Sequence, residues 1–304
     1  MIRRASVANP TICILGEAPV WDAQRGRVLW ADIERRLVFS GILDPAGTVT
    51  VVDEVGFPQG VSAIAVSESG DWLVAGTDAL WRRGGDGTVE RGIGLLPAGS
   101  GRRLNDGKPD PSGAFVVGSL AAGASESEML VRVGDDGTIS PIDSDLTLSN
   151  GMAWSSDGRR FYNADSDRRV VFVRSYDPAT GSVGDREVFV SVERGYPDGI
   201  CADVEDHLWI ALWGAGEIHR YSPRGELVEV VDVAAPHVSS VAFAGALLDT
   251  LIITTATEDL SEEQRQRFPD SGRLFSLRCD VPGIPHNLWN GNLPHQPSLE
   301  GETR

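Results

Sequence analysis

RGRVLWAD, residues 25–32, is a polar turn that runs into a short apolar strand, and the same phrase returns five more times along the chain. It reads SGDWLVAG at 69–76, SGAFVVGS at 112–119, DGRRFYNAD at 157–165, EDHLWIAL at 205–212 and LDTLIITT at 248–255. With Trp30, Leu73, Phe115, Phe161, Trp209 and Ile252 as anchors, the intervals are 43, 42, 46, 48 and 43 residues. A second phrase follows each anchor: LVFSGILDPAG from 37, LWRRGGDG from 80, LVRVGDDG from 130, VVFVRSYDPATG from 170, IHRYSPRGE from 218 and LFSLRCD from 274. Two phrases recurring in fixed order at this period are the mark of a β-propeller, whose four-stranded blades take ~40–50 residues each. A β-sandwich would also supply many short strands, but it has no reason to repeat two phrases six times in one order. The expected fold is all-β, a single six-bladed propeller over residues 1–284. Residues before Leu15 are expected to add an outer strand to the last blade, because closing the ring removes exposed strand edges.

The rest of the chain agrees with this texture. The 35 glycines and 17 prolines are spread along the sequence and separate short runs rich in Val, Ile, Leu and Trp. The one good helical stretch is Glu258 to Arg267. Residues 285–304, rich in Asn and Pro, carry no strand pattern and are expected to form an irregular tail.

Composition excludes several functions. Lys and Arg number 27 against 44 Asp and Glu, a net charge of −17, so the chain offers no basic face to a phosphate backbone or an anionic membrane. Nucleic acid and membrane are therefore not expected partners. The three cysteines, Cys13, Cys201 and Cys279, form neither a disulfide framework nor a zinc spacing, which fits a reducing compartment. The N-terminus lacks an uninterrupted apolar run, and no later window approaches ~20 apolar residues. A soluble cytoplasmic protein, monomeric or weakly homo-oligomeric, is expected.

In a propeller the innermost strands line a central channel, so the residues at their starts converge on one mouth. Counting back from the anchors, those strands begin at Glu17, Ser62, Asn105, Asn150, Asp198 and Ser239, all of which bear oxygen. Two carboxylates and an amide carbonyl, from Glu17, Asp198 and Asn150, suit a hard divalent cation of the calcium, magnesium or manganese type; the lack of His and Cys argues against a dedicated zinc site. Taken singly, Asn150-Gly151 or Asp198-Gly199 shapes a turn more often than it binds a metal. Their shared phase in the repeat reverses that judgement.

The runs LGEAPVWD from 15, RRLNDGKPDPSGAF from 102, LSNGMAWSSDGRRFYNADS from 148, YPDGICAD from 196 and VSSVAFAGALLDTLIITTA from 238 resemble the gluconolactonase, regucalcin and luciferin-regenerating enzyme family over roughly residues 15 to 284. The resemblance implies a six-bladed propeller with one divalent metal on its axis, calcium foremost, with zinc, magnesium or manganese as alternatives. It further implies that Glu17, Asn150 and Asp198 are the metal ligands, that Arg103 and Asn105 bind substrate, and that Asp198 also takes part in proton transfer. Ala18 stands where the family motif normally has Gly. Gly123 stands where some sugar-lactone members have an acidic residue, five positions beyond Gly118.

The expected activity is metal-dependent hydrolysis of a sugar lactone, an aldonolactone such as glucono-, xylono- or arabinono-lactone, to its acid. In that reaction Asp198 acts as the general base and Arg103 compensates developing negative charge. The competing readings are a broader metal-dependent esterase or phosphotriesterase and a calcium-binding regulatory propeller without catalysis. Ser62 and Ser239 have no histidine in phase, so a Ser-His-Asp triad has no support. Trp213, in the loop WGAG, is a candidate wall of the pocket.

Overall fold

The computed structural model describes residues 3–295. Six antiparallel sheets stand around one axis, and in the first four the strands run outward in chain order. The inner strands are Gly16–Asp22, Ala63–Val66, Arg102–Pro109, Ser149–Trp154, Tyr196–Ala202 and Val238–Ala244, numbered here as blades 1 to 6. Glu17, Ser62, Asn150 and Ser239 lie at or beside the start of these strands, while Asp198 is the third and Asn105 the fourth residue of its longer strand. The propeller fold read from the repeat is the observed one.

The anchors explain why the period is so regular. Each sits on the second strand of its blade, and Trp30, Leu73, Phe115, Phe161, Trp209 and Ile252 are all 1% exposed or less. The core divides into six main clusters, each joining two neighbouring blades. Trp30 and Phe39 of blade 1 pack on Ile252 and Leu274 of blade 6, and Trp209 of blade 5 packs on Phe243 and Phe275 of blade 6. The second strand of a blade is apolar on both faces, so successive residues go to opposite neighbours: Val28 and Trp30 pack toward blade 6, Leu29 and Ala31 toward blade 2. Large aromatic side chains fill the outward-widening wedges, as in the stacked pair Trp30 and Phe39 at 5.2 Å.

The chain ends stitch the ring. Ser6–Asn9 pairs with Leu274–Arg278 as the outer strand of blade 6, and Arg3–Arg4 runs parallel to Leu227–Asp232 as a fifth strand on blade 5. Residues 284–295 form no strand but lace across the face opposite the mouth. There the Trp289 N–H donates to Val66 O, and the Ile93 N–H donates to Pro294 O. Residues 296–304 of the expected tail lie outside the described residues. The helix is shorter than the sequence pattern, Glu262–Arg267, because Ser261 caps it reciprocally with Gln264 and Leu260 is drawn into the core instead. Among the described residues no helix is long and apolar enough to cross a membrane.

Candidate functional site

The mouth is built by β-bulges. Register slips between Glu17 and Val20, Leu104 and Gly107, Ser149 and Met152, Pro197 and Ile200, and Val238 and Ser240, so five of the six inner strands bulge at the position that carries the oxygen-bearing residue. A bulge re-aims a side chain out of the alternating pattern, and here it turns Glu17, Asn150 and Asp198 toward the axis. In blade 1 the bulge places Ala18 at φ +50°, a left-handed conformation in which glycine carries no steric penalty. In blades 4 and 5 glycine is required for closeness rather than for φ. A Cβ on Gly151 would lie 2.1 Å from Asp198 O, and one on Gly199 would lie 2.0 Å from Ser240 Oγ.

The six mouth residues divide into two groups by their hydrogen bonds. Ser62 Oγ donates to Asn105 O at 3.0 Å, Asn105 Nδ2 to Ser149 O at 2.8 Å, and Ser239 Oγ to Gly16 O at 2.5 Å. Each of these side chains clamps the next inner strand. Asn105 also accepts from Arg103 Nη1 at 2.7 Å, so its amide holds the guanidinium over the mouth.

Glu17, Asn150 and Asp198 instead keep oxygens free. Asn150 Nδ2 donates to Ser166 Oγ at 3.1 Å while that hydroxyl donates to Pro197 O at 2.7 Å, which fixes the amide orientation and leaves the Asn150 carbonyl oxygen as the free end. Glu17 Oε2 accepts from the Ala18 N–H at 3.0 Å. Asp198 Oδ1 is buried and has no hydrogen-bond partner. An orphaned buried carboxylate oxygen is costly unless something positive meets it. Burial first, then Glu17 and Asp106, raises the Asp198 carboxyl well above its usual range, with Asn150 and Arg103 acting in the opposite sense. This donor set, two carboxylates and an amide carbonyl, fits a hard divalent cation. Among the described residues no group of three or more His, Cys, Asp and Glu side chains is placed to hold a metal.

The same crowding is expected to make the protein's stability depend on pH. Burial, and then the charge of Asp106, pushes the Glu17 carboxyl from 4.5 up to about 8. A carboxyl whose pKa is raised on folding stabilises the protein while protonated, and that contribution is lost as pH rises through about 8. In chelator the protein is expected to melt at a lower temperature at about pH 9 than at about pH 6, and Glu17→Gln to flatten the difference. Melting curves across that range test this.

Sequence reasoning missed two charged neighbours. Asp106, beside Asn105 in the same bulge, is buried with Oδ2 unpartnered, and Lys108 Nζ donates to Ile200 O at 2.6 Å. Both line a cavity of about 240 Å³ that runs behind the mouth to the tail at His286 and Asn287. The run NDGK held the signal, since a bulge points two successive residues inward where a regular strand points one. Trp213 lies at the rim with its ring stacked on His237 at 4.1 Å. Gly123 sits at φ +113° in open space, and the nearby Glu128 is fully buried, accepting from Ser119 Oγ and Ser125 Oγ at 2.6 Å each.

Fold and mouth together define a six-bladed propeller with an oxygen-donor site on its axis, guarded by one arginine. The SMP-30/Gluconolactonase/LRE-like region matches residues 15–257, and the chain belongs to that family. It is 32% identical to a pentonolactonase of Haloferax volcanii, over 90% of this chain and 94% of that protein. It is 30% identical to a 6-deoxy-6-sulfogluconolactonase of Pseudomonas putida, over 91% and 96%. The crystal structure of regucalcin from Agrobacterium tumefaciens, described as a calcium-binding protein, superposes with a TM-score of 0.87 at 29% identity, covering 95% of this chain and 99% of that one. These relatives group the chain with hydrolases that act on cyclic esters.

Proposed function

We propose that this protein is a metal-dependent lactonase that opens a sugar lactone to its acid. The observation that carries the reading is the buried, unpartnered Oδ1 of Asp198, whose carboxyl feels Glu17, Asn150 and Arg103, in a chain related to lactonases along nearly its whole length. Glu17, Asn150 and Asp198 would hold the cation, with calcium the first candidate given the regucalcin relative. Bound there, a divalent ion supplies Lewis acidity toward the lactone carbonyl and lowers the pKa of water.

The protein's own groups do the rest. Asp198 accepts the proton of the attacking water as general base, an oxygen without a hydrogen-bond partner being free for that task. Arg103 keeps Nη1 on Asn105 Oδ1 and Leu104 O, while its Nη2 and Nε have no partner among the described residues and are free to meet substrate oxygens. Burial lowers the guanidinium pKa and Glu17 leads the charges that oppose this, so the cation is strongly drawn to developing negative charge. Asn105 acts chiefly by positioning Arg103.

Two measurements test this. Metal-stripped protein, assayed by pH indicator against a panel of aldonolactones and one aryl ester, is expected to release acid from a lactone only after a divalent cation is returned. Release from the aryl ester alone favours the broader esterase, and release from neither favours a binding protein. Arg103→Ala is expected to lower kcat/KM by about 10²-fold while cation binding, followed by calorimetry, stays intact.

A further inference from the structure

Hydroxyl groups on a sugar are read most strongly by carboxylates, whose oxygens accept charge-assisted hydrogen bonds. On the blade 3 side of the mouth no buried acceptor is free: Gly123 has no side chain and Glu128 is held by Ser119, Ser125 and Arg102, while Glu126 is exposed to solvent. The opposite rim differs. Glu258 is half-buried, and its carboxylate has no hydrogen-bond or ion-pair partner among the described residues. With Glu34 it acts on the Arg103 guanidinium from the rim, as Glu17 and Asp198 do from the axis.

The backbone under Glu258 is held firmly. The N–H groups of Thr257 and Glu258 both donate to Ile14 O, at 2.9 and 3.0 Å, and the Ala256 N–H donates to His237 O. His237 Nδ1 lies 2.9 Å from Glu258 O, and because a carbonyl only accepts, Nδ1 carries the proton. Burial lowers the His237 pKa, which keeps the ring neutral near pH 7. The same ring stacks on Trp213 at 4.1 Å and 12°, and a backbone bridge joins the two residues. Trp213, His237 and Glu258 therefore form one linked wall, an apolar platform with a free carboxylate at its edge. That pairing of an aromatic face with an acceptor suits a polyhydroxylated ring.

We infer that Glu258, held in place by His237 and flanked by Trp213, accepts hydrogen bonds from the substrate's hydroxyl groups and sets the preference of the site for hydroxylated lactones. The inference rests on the lactonase reading and narrows it to one residue. It is tested on the cation-loaded enzyme with glucono-δ-lactone and δ-valerolactone, which share a ring but differ in hydroxyls. The quantity read is the ratio of the two kcat/KM values. Glu258→Gln, which keeps one weaker acceptor, is expected to lower that ratio about tenfold, and Glu258→Ala about a hundredfold, mostly through KM for the hydroxylated lactone. An unchanged ratio in both variants, or a KM increase of equal size for both lactones, overturns the inference. Failure of the wild-type enzyme to open either lactone overturns the functional reading itself, so the two failures are told apart.

Discussion

Asp198→Ala is expected to abolish lactone hydrolysis, with kcat/KM falling by at least about 10³-fold. One side chain carries three consequences. It offers the buried Oδ1 that no protein group meets, it supplies one of the two carboxylates that would hold the cation, and it would be the base for the attacking water. Asp198→Asn separates these roles, since it keeps the shape and an oxygen while removing the charge and the basicity. The asparagine variant is expected to bind the cation more weakly, to lose turnover as fully as the alanine variant, and to melt at a higher temperature than wild type in chelator. The last effect follows because the carboxylate is buried beside Glu17 and Asp106, and its removal relieves their repulsion. Calorimetric titration, the pH-indicator assay and melting curves on one preparation check all three. Wild-type turnover by either variant would falsify the mechanism.

Gly151→Ala is expected to destabilise the protein by about 3 kcal/mol or more and to disrupt cation binding with it. A Cβ at this position would stand 2.1 Å from Asp198 O and 2.6 Å from Ile200 N, and both are backbone atoms of the next inner strand. Rotation of a side chain cannot relieve such a contact, so the two strands must separate at the point where Asn150 and Asp198 converge. For a domain of this size the fall in Tm is on the order of 10 °C. Gly85→Ala serves as the control, because a Cβ there meets nothing nearer than Asp71 Oδ1 at 3.9 Å. Equal melting temperatures for the two variants would show that the strands at the axis have room to spare.

The blade count was legible because every blade must bury a large residue on its second strand, and Trp30, Leu73, Phe115, Phe161, Trp209 and Ile252 mark that need at an even spacing. The positions at the mouth followed by counting back from those anchors. What counting could not reveal was the division between them, since Asn105 and Asn150 are the same residue at the same phase. One amide faces the neighbouring strand and Arg103, and the other faces Ser166; only packing distinguishes them. Asp106 stayed hidden because a bulge breaks the period of two on which strand reading depends. Glu258 belongs to a connecting segment, where no period exists, and its place depends on contacts with Ile14 and His237 that are remote in sequence. The helix was overextended at its start because Leu260, a good helix former, is needed in the core.

The clamps formed by Ser62, Asn105 and Ser239 have a consequence for how such a scaffold can change. They tie blade 2 to blade 3, blade 3 to blade 4 and blade 6 to blade 1 by bonds to main-chain carbonyls, so the bore is gauged by residues other than Glu17, Asn150 and Asp198. Replacing the latter alters what the bore can hold while its diameter is still set elsewhere. A ring that assigns calibre to one set of residues and reactivity to another can exchange its chemistry one residue at a time and remain a ring at every step.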